Sequence, residues 1–321
     1  LQAGTDPLGP DNIVTFACGL LTGTPAPASS RLHVNALSPQ TGLLGSSNIG
    51  GSFGNALRAC GIQQIIVRGR SPYPVYLYID EDTIVLRKAE SLWGLTTDAT
   101  YEQLKGRLDN KRIRMVTIGP GAENGARFGC IMSGRHHAAG RTGMGTVMGS
   151  KMLKAIVVKE PKKPPRFHTD SEGREAIKRY IFLIKEAPEF KLVASLGGAG
   201  YIKWADEHGI MPTRNFQDCH FEGTDQLDGE NLTDNITRRR GCRRCPVQCK
   251  ADLTIDRGKL KGQTAVRPEF EPILTLGAKC GLSDLDAVIY LDNLCSRVGL
   301  DSLSASAVIA FAMDLYERGI I

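Results

Sequence analysis

The sequence predicts an α+β protein: a β-rich N-terminal domain over residues 1–160, followed by a mainly α-helical domain over 166–321. Three observations lead there. From 12 to 158, short β-branched runs recur at close spacing with glycine or proline between them. At 159–165 the stretch KEPKKPP is charged, carries proline and has no periodicity, as a linker would. Beyond it apolar residues return at helical spacing. Glycine follows the same division, since 22 of the 36 glycines fall within the first 150 residues.

In chain order, strands are predicted at 13–17, 65–67, 75–79, 83–86, 115–118 and 155–158, with a helical interruption at 100–108. A helix over 171–186 rests on Ile177, Ile181 and Ile184. A second, over 284–298, rests on Leu285, Val288, Ile289 and Leu294. A third, over 302–318, rests on Ala305, Val308, Ile309, Ala312 and Leu315.

Composition bounds the function. Forty basic against 34 acidic side chains leave a net charge of +6, too small and too mixed an excess to argue for nucleic acid. No apolar run approaches the roughly 20 residues of a bilayer span, so no membrane span is expected. Nine cysteines, an odd number with three bunched inside eight residues, do not resemble a disulfide framework and suggest a reducing cytoplasm. Cys18, Cys60 and Cys130 are expected to pack as small hydrophobes.

The bunched three form C-x2-C-x3-C: Cys242, Cys245 and Cys249 in GCRRCPVQC. Thiolates this close can converge on one inorganic centre, and both an iron-sulfur cluster and zinc use such ligands. Zinc would ask for a second nearby pair, whereas His220, the nearest histidine upstream, is isolated. A [4Fe-4S] cluster asks for one further cysteine, which can come from far away in sequence. Around the motif stand Arg238, Arg239, Arg240, Arg243, Arg244 and Lys250, with no acid between Ile236 and Ala251. They are either a solvated loop or a docking face for an acidic electron carrier. Two glycine-rich segments, SSNIGGSFG at 46–54 and AAGRTGMGTVMGSK at 138–151, are either anion-binding loops or plain turns.

Colinear stretches then match a known pattern. GLLTGT at 19–24, Ser30-Arg31, SPQTG at 38–42, SNIGG at 47–51, AGR at 139–141, GSKMLKAI at 149–156, CRRCPVQC and RPEFE at 267–271 resemble the tungsten-containing aldehyde:ferredoxin oxidoreductase family. The resemblance implies a tungsten, or molybdenum, bis-pyranopterin beside one [4Fe-4S] cluster. It also implies a sheet base under the pterins and helical domains after it. Arg31 resembles the arginine near the pterin phosphates. Asn48 and Ala138 resemble the positions whose carbonyls hold the Mg2+ bridging those phosphates, with Gly50, Gly51, Gly140 and Arg141 closing around them. Cys242, Cys245 and Cys249 would be three cluster ligands. Glu271 resembles the active-site glutamate, with Glu269 the near alternative; the non-functional reading of either is a helix-start residue after Pro268. The family's Asp-x-x-Gly-Leu-Asp appears as SRVGLD at 296–301, which keeps Asp301 as a pterin contact and replaces the leading acid with Ser296. The fourth cluster cysteine and the catalytic histidine belong to a later region, so the resemblance implies a fragment lacking the N-terminal start and the C-terminal part. Cys280 and Cys295 are expected in core packing.

The expected reaction is oxidation of a small aldehyde to a carboxylic acid, with Glu271 as general base provided burial raises its pKa toward neutrality, and electrons leaving through the cluster to ferredoxin or a ferredoxin-like subunit. The rivals are a related tungsten enzyme, such as an aromatic thioester reductase subunit, and a noncatalytic iron-sulfur scaffold. A homo- or hetero-oligomer fits either.

Overall fold

Alternation builds the first sheet of the computed structural model, which describes residues 2–108, 112–165, 167–256 and 258–321. In β1 (Val14–Cys18) Val14, Phe16 and Cys18 face the core. In β2 (Leu32–Leu37) Leu32, Val34 and Ala36 do so, and in β3 (Leu44–Ile49) Gly45, Ser47 and Ile49. β4 (Gln64–Val67) completes an antiparallel sheet in the order β3-β2-β1-β4. Helices Phe53–Ala59 and Met144–Ser150 cover its buried face with Phe53, Leu57, Met144 and Val147.

A second sheet holds β5 (Val75–Ile79), β6 (Ile84–Lys88), β7 (Ile113–Thr117), β8 (Ile131–Ser133), β9 (His137–Ala139) and β10 (Leu153–Lys159), in the order β6-β5-β10-β7-β8-β9. β10 lies parallel to β5 and antiparallel to β7, and its run from Ala155 to Val158 is apolar because both its faces are covered. Ile156 and Val158 join the core of the first sheet. Ala155 and Val157 join Tyr76, Tyr78, Met115 and Leu104, the last from helix Thr97–Arg107. Into this apolar layer β10 also carries Lys154, fully buried, which is ion-paired with the buried Glu123 and donates to Leu95 O at 2.8 Å.

The chain divides into two compact units. The first takes Leu1–Phe182 together with Cys242–Pro246 and Ser296–Asp301; the second takes Leu183–Gly241, Val247–Cys295 and Ser302–Ile321. The second unit is mainly helical, with Leu285–Val298 and Ser302–Glu317 its longest helices beyond the motif. It also holds a small antiparallel sheet of β11 (Ile236–Arg240), β12 (Lys250–Thr254) and β13 (Thr264–Val266), which the helical expectation does not include. Asn293 fastens helix Leu285–Val298 to β13: its Oδ1 accepts from Val266 N at 2.8 Å and its Nδ2 donates to Val266 O at 2.9 Å. Among the described residues no helix is long and apolar enough to cross a membrane.

The glycines of the second rich segment serve packing. A Cβ on Gly145 would lie 2.3 Å from Cys130 O, so glycine lets helix Met144–Ser150 rest directly on neighbouring backbone. That close approach outweighs the helix propensity glycine gives up.

Candidate cofactor and cluster site

The cysteine motif leaves β11 and returns on β12, and its first half is held by the first unit. β3 ends at Ile49 and the chain turns through Gly50 and Gly51, the latter at φ +93°. Gly51 N–H donates to Cys242 Sγ at 3.2 Å, and Arg243 N–H donates back to Gly51 O at 3.1 Å. Cys245 N–H closes the C-x2-C turn on Cys242 O at 3.1 Å. A Cβ on Gly50 would stand 2.7 Å from Cys242 Sγ and 3.0 Å from His137 Nδ1, and one on Gly51 would stand 2.9 Å from His137 Cδ2. Both glycines are therefore spent on letting sulfur and imidazole approach the backbone.

Cys249 belongs to the second unit, where its carbonyl accepts from Nη2 of the buried Arg267. Among the described residues, no three His, Cys, Asp or Glu side chains are gathered in a metal-holding geometry. The donor chemistry nonetheless fits an iron-sulfur centre: three thiol side chains within eight residues, one of them already receiving a backbone N–H.

The positions expected to hold the pterin lie on the outward face of β2–β3 and along β9. Arg31 Nη1 donates to Asn48 Oδ1 at 2.9 Å, and Asn48 Nδ2 lies 2.9 Å from Nε2 of His33, its cross-strand partner. Ala138 is exposed on β9, opposite Met132 of β8, and β9 packs beside β3. Gly140 is roomy by contrast, since a Cβ there would meet only Ala138 Cβ at 4.0 Å.

Arg141 Nε contacts Asp301 Oδ2 at 3.1 Å, the carboxylate being almost fully buried and the guanidinium largely exposed. Asp301 arrives on a segment laced into the first unit at both ends. Thr97 Oγ1 donates to Ser296 O at 2.9 Å, Cys130 N to Gly299 O at 2.9 Å and Asp301 N to Phe128 O at 3.0 Å. The structure thus joins Arg31 to Asn48, Arg141 to Asp301 and Gly50-Gly51 to Cys242, each pair far apart in sequence.

The two glutamates differ. Glu271 is exposed in the first turn of the short helix Phe270–Pro272. Glu269 sits just before that helix without a side-chain capping bond and is ion-paired with Lys250. Sequence reasoning missed a third carboxyl near them, Asp292, which resembles any polar residue on helix Leu285–Val298. Burial pushes its pKa up to about 6 from 3.8; Lys250 and a hydrogen bond to Ser302 pull it down, and Glu269 pushes it further up. A carboxyl raised in the folded state favours folding below about pH 3.8, and that contribution is lost as pH rises to about 6. Asp292→Asn is expected to flatten this fall, read as the urea midpoint against pH.

Most of the basic run is tied down. Arg240 Nε meets Asp252 Oδ2 at 2.7 Å and Arg243 Nη1 meets Glu160 Oε1 at 2.8 Å. Arg239 donates to Ala194 O, and Arg244 to Gly23 O at 3.2 Å and to Thr24 O. With Lys250 on Glu269, five of the six cations around the motif have partners within the chain.

Residues 1–160 match the family described as aldehyde ferredoxin oxidoreductase, N-terminal domain, and residues 175–321 match aldehyde ferredoxin oxidoreductase, domains 2 and 3. The chain is 38% identical over 321 residues to a tungsten-containing aldehyde ferredoxin oxidoreductase of Pyrococcus abyssi, covering 98% of this chain and 52% of that protein. It is 31% identical over 333 residues to an aliphatic sulfonate oxidoreductase, WOR-like subunit, of Pyrococcus furiosus, covering 98% of this chain and 52% of that one. A solved structure, the active-site complex BamBC of benzoyl coenzyme A reductase with 1,5-dienoyl-CoA, superposes with a TM-score of 0.83 at 32% identity over 99% of this chain and 49% of that chain. The chain spans about half the length of the curated relatives it matches. With both halves matched, it belongs to the aldehyde ferredoxin oxidoreductase family.

Proposed function

We propose that this chain is the pterin-platform and cluster-bearing part of an oxidoreductase that converts an aldehyde to a carboxylic acid and delivers the electrons to ferredoxin or a ferredoxin-like subunit. One observation carries the reading. Cys242 hangs on the Gly50-Gly51 turn, two residues beyond Asn48 and against His137, the neighbour of Ala138. The position resembling the family's cluster ligand therefore lies against the turn that follows one Mg2+-carbonyl position and beside the residue that precedes the other. When bound, a tungsten or molybdenum bis-pyranopterin would supply two-electron chemistry, and a [4Fe-4S] cluster single-electron transfer.

The chain's own residues would do the rest. Arg31, steadied by Asn48, and Arg141, steadied by Asp301, offer guanidinium groups to the cofactor phosphates. The carbonyls of Asn48 and Ala138 would hold the bridging Mg2+, and Gly50, Gly51 and Gly140 keep side chains out of the way. Cys242, Cys245 and Cys249 would hold iron. Residues 1–160 would form the pterin-binding domain and 166–321 the helical domain carrying the cluster cysteines. Glu271, exposed where the general-base reading expected burial, would take the proton from water or the hydrated aldehyde, with the half-buried Glu269 as the near alternative.

The test is the metal and pterin content of the complete protein, purified anaerobically, with aldehyde-dependent dye reduction measured alongside. About one tungsten and two pterins per chain with activity supports the proposal; iron alone would favour a noncatalytic electron-transfer subunit. Glu271→Gln is expected to keep the metal and lower kcat at least about 100-fold. A fully active variant would remove Glu271 from the mechanism.

The likeness to the benzoyl coenzyme A reductase complex favours a second reading, reduction of an aromatic thioester on the same platform. Assaying an aromatic CoA thioester and an aldehyde with one preparation separates the two.

A further inference from the structure

His137 has no role in the proposal above, yet it stands at its centre. The residue opens β9, and its ring lies over the Gly50-Gly51 turn with Nδ1 4.0 Å from Cys242 Sγ. On the same sulfur the Gly51 N–H already donates at 3.2 Å. The approach is paid for in sequence, because any side chain at Gly50 would collide with the thiol at 2.7 Å and with Nδ1 at 3.0 Å.

We propose that His137 is a positioning residue that turns its Nδ1–H toward the Cys242 thiolate as a second N–H donor, and that the pair of donors raises the reduction potential of the iron-sulfur cluster this thiolate helps to hold. The inference rests on the cluster reading of Cys242, Cys245 and Cys249. Its physical basis is the hydrogen bond's preference for the more negative sulfur of the reduced cluster. A donor that strengthens on reduction stabilises the reduced form, so the midpoint rises. Gly51 supplies one donor from a fixed backbone. His137 supplies the other from a side chain, and that one can be replaced without rebuilding the turn. Because His137 directly precedes Ala138 on β9, the donor is also fixed to the strand that would carry the Mg2+ carbonyl. Movement in that strand would be felt at the cluster sulfur.

The experiment is a redox titration of the dithionite-reduced cluster signal by electron paramagnetic resonance, on the complete holoenzyme, with iron content measured on every sample. His137→Phe is expected to keep its iron and shift the midpoint to a more negative potential. His137→Asn, whose side-chain amide presents an N–H where Nδ1 stood, is expected to bring it back toward the wild-type value. If phenylalanine prevents cluster loading, His137→Ala against His137→Asn makes the same comparison with less bulk. Equal midpoints in the wild type and in every iron-loaded variant without the donor would overturn the role of His137. A wild-type protein without iron would overturn the cluster reading itself, a result distinct from an unmoved midpoint.

Discussion

Replacing Lys154 by methionine while Glu123 stays is expected to destabilise the β-rich unit by about 3–5 kcal/mol, read as a lowered urea midpoint with an unchanged m-value. Lys154 is fully buried in β10 and Glu123 nearly so, and neither charge has water to fall back on. Each is fixed by a further bond: Lys154 Nζ donates to Leu95 O at 2.8 Å, and Glu123 Oε2 accepts from Gly94 N at 2.7 Å. Burial pulls the lysine's pKa down, and the hydrogen bond and charge of Glu123 pull it back up. Removing the ammonium leaves the Glu123 carboxylate in a buried site where desolvation is no longer offset. Replacing both partners at once, Lys154→Met with Glu123→Leu, removes the two desolvation costs together. It is expected to recover most of the loss. A double variant as unstable as the single one would mean that the pair's remaining backbone contacts, and not its charges, carry the effect.

How far such features can be read from the residues depends on the range of the forces that make them. β10 was legible because an apolar run covered on both faces advertises itself. β2 and β3 were not: β2 alternates Leu32, Val34 and Ala36 with His33 and Asn35 but holds only one β-branched residue, and in β3 the small Gly45 and Ser47 fill inward positions where a branched side chain is expected. β11 was hidden by three successive arginines, two of which find partners in Asp252 and the carbonyl of Ala194.

At the site, the cysteine spacing was legible because C-x2-C-x3-C is a local pattern that needs no fold to be seen. The pairing of Arg141 with Asp301 joins residues far apart in sequence, and only the family resemblance named both. His137 and Asp292 gave no signal at all. A single histidine or aspartate has no period, and its importance lies in which backbone or carboxylate the fold brings beside it.

Gly50→Ala and Gly140→Ala separate the two readings of the glycine-rich loops, and the first is expected to have the second large effect in the molecule. Both glycines were expected to keep space open for a cofactor, and both have backbone angles within reach of alanine. At Gly140 the new methyl would meet only Ala138 Cβ at 4.0 Å, so stability should change by no more than about 0.5 kcal/mol, and iron content should not change. At Gly50 the methyl would fall 2.7 Å from Cys242 Sγ and 3.0 Å from His137 Nδ1, distances that force one group to move. Overpacking of this kind costs about 1–3 kcal/mol where the neighbours can yield. Here yielding displaces a sulfur that is also held by Gly51 N–H, so on the proposed cluster reading the expected result is loss of most of the iron chromophore. Combining Gly50→Ala with Cys242→Ala tests the cause, because truncating the sulfur relieves the closest contact. The stability cost of Gly50→Ala should shrink in that background while the chromophore stays absent, a coupling that only direct contact between the two residues produces. A Gly50→Ala protein with full iron and wild-type stability would show that the turn has room to spare and that Cys242 is not held against it.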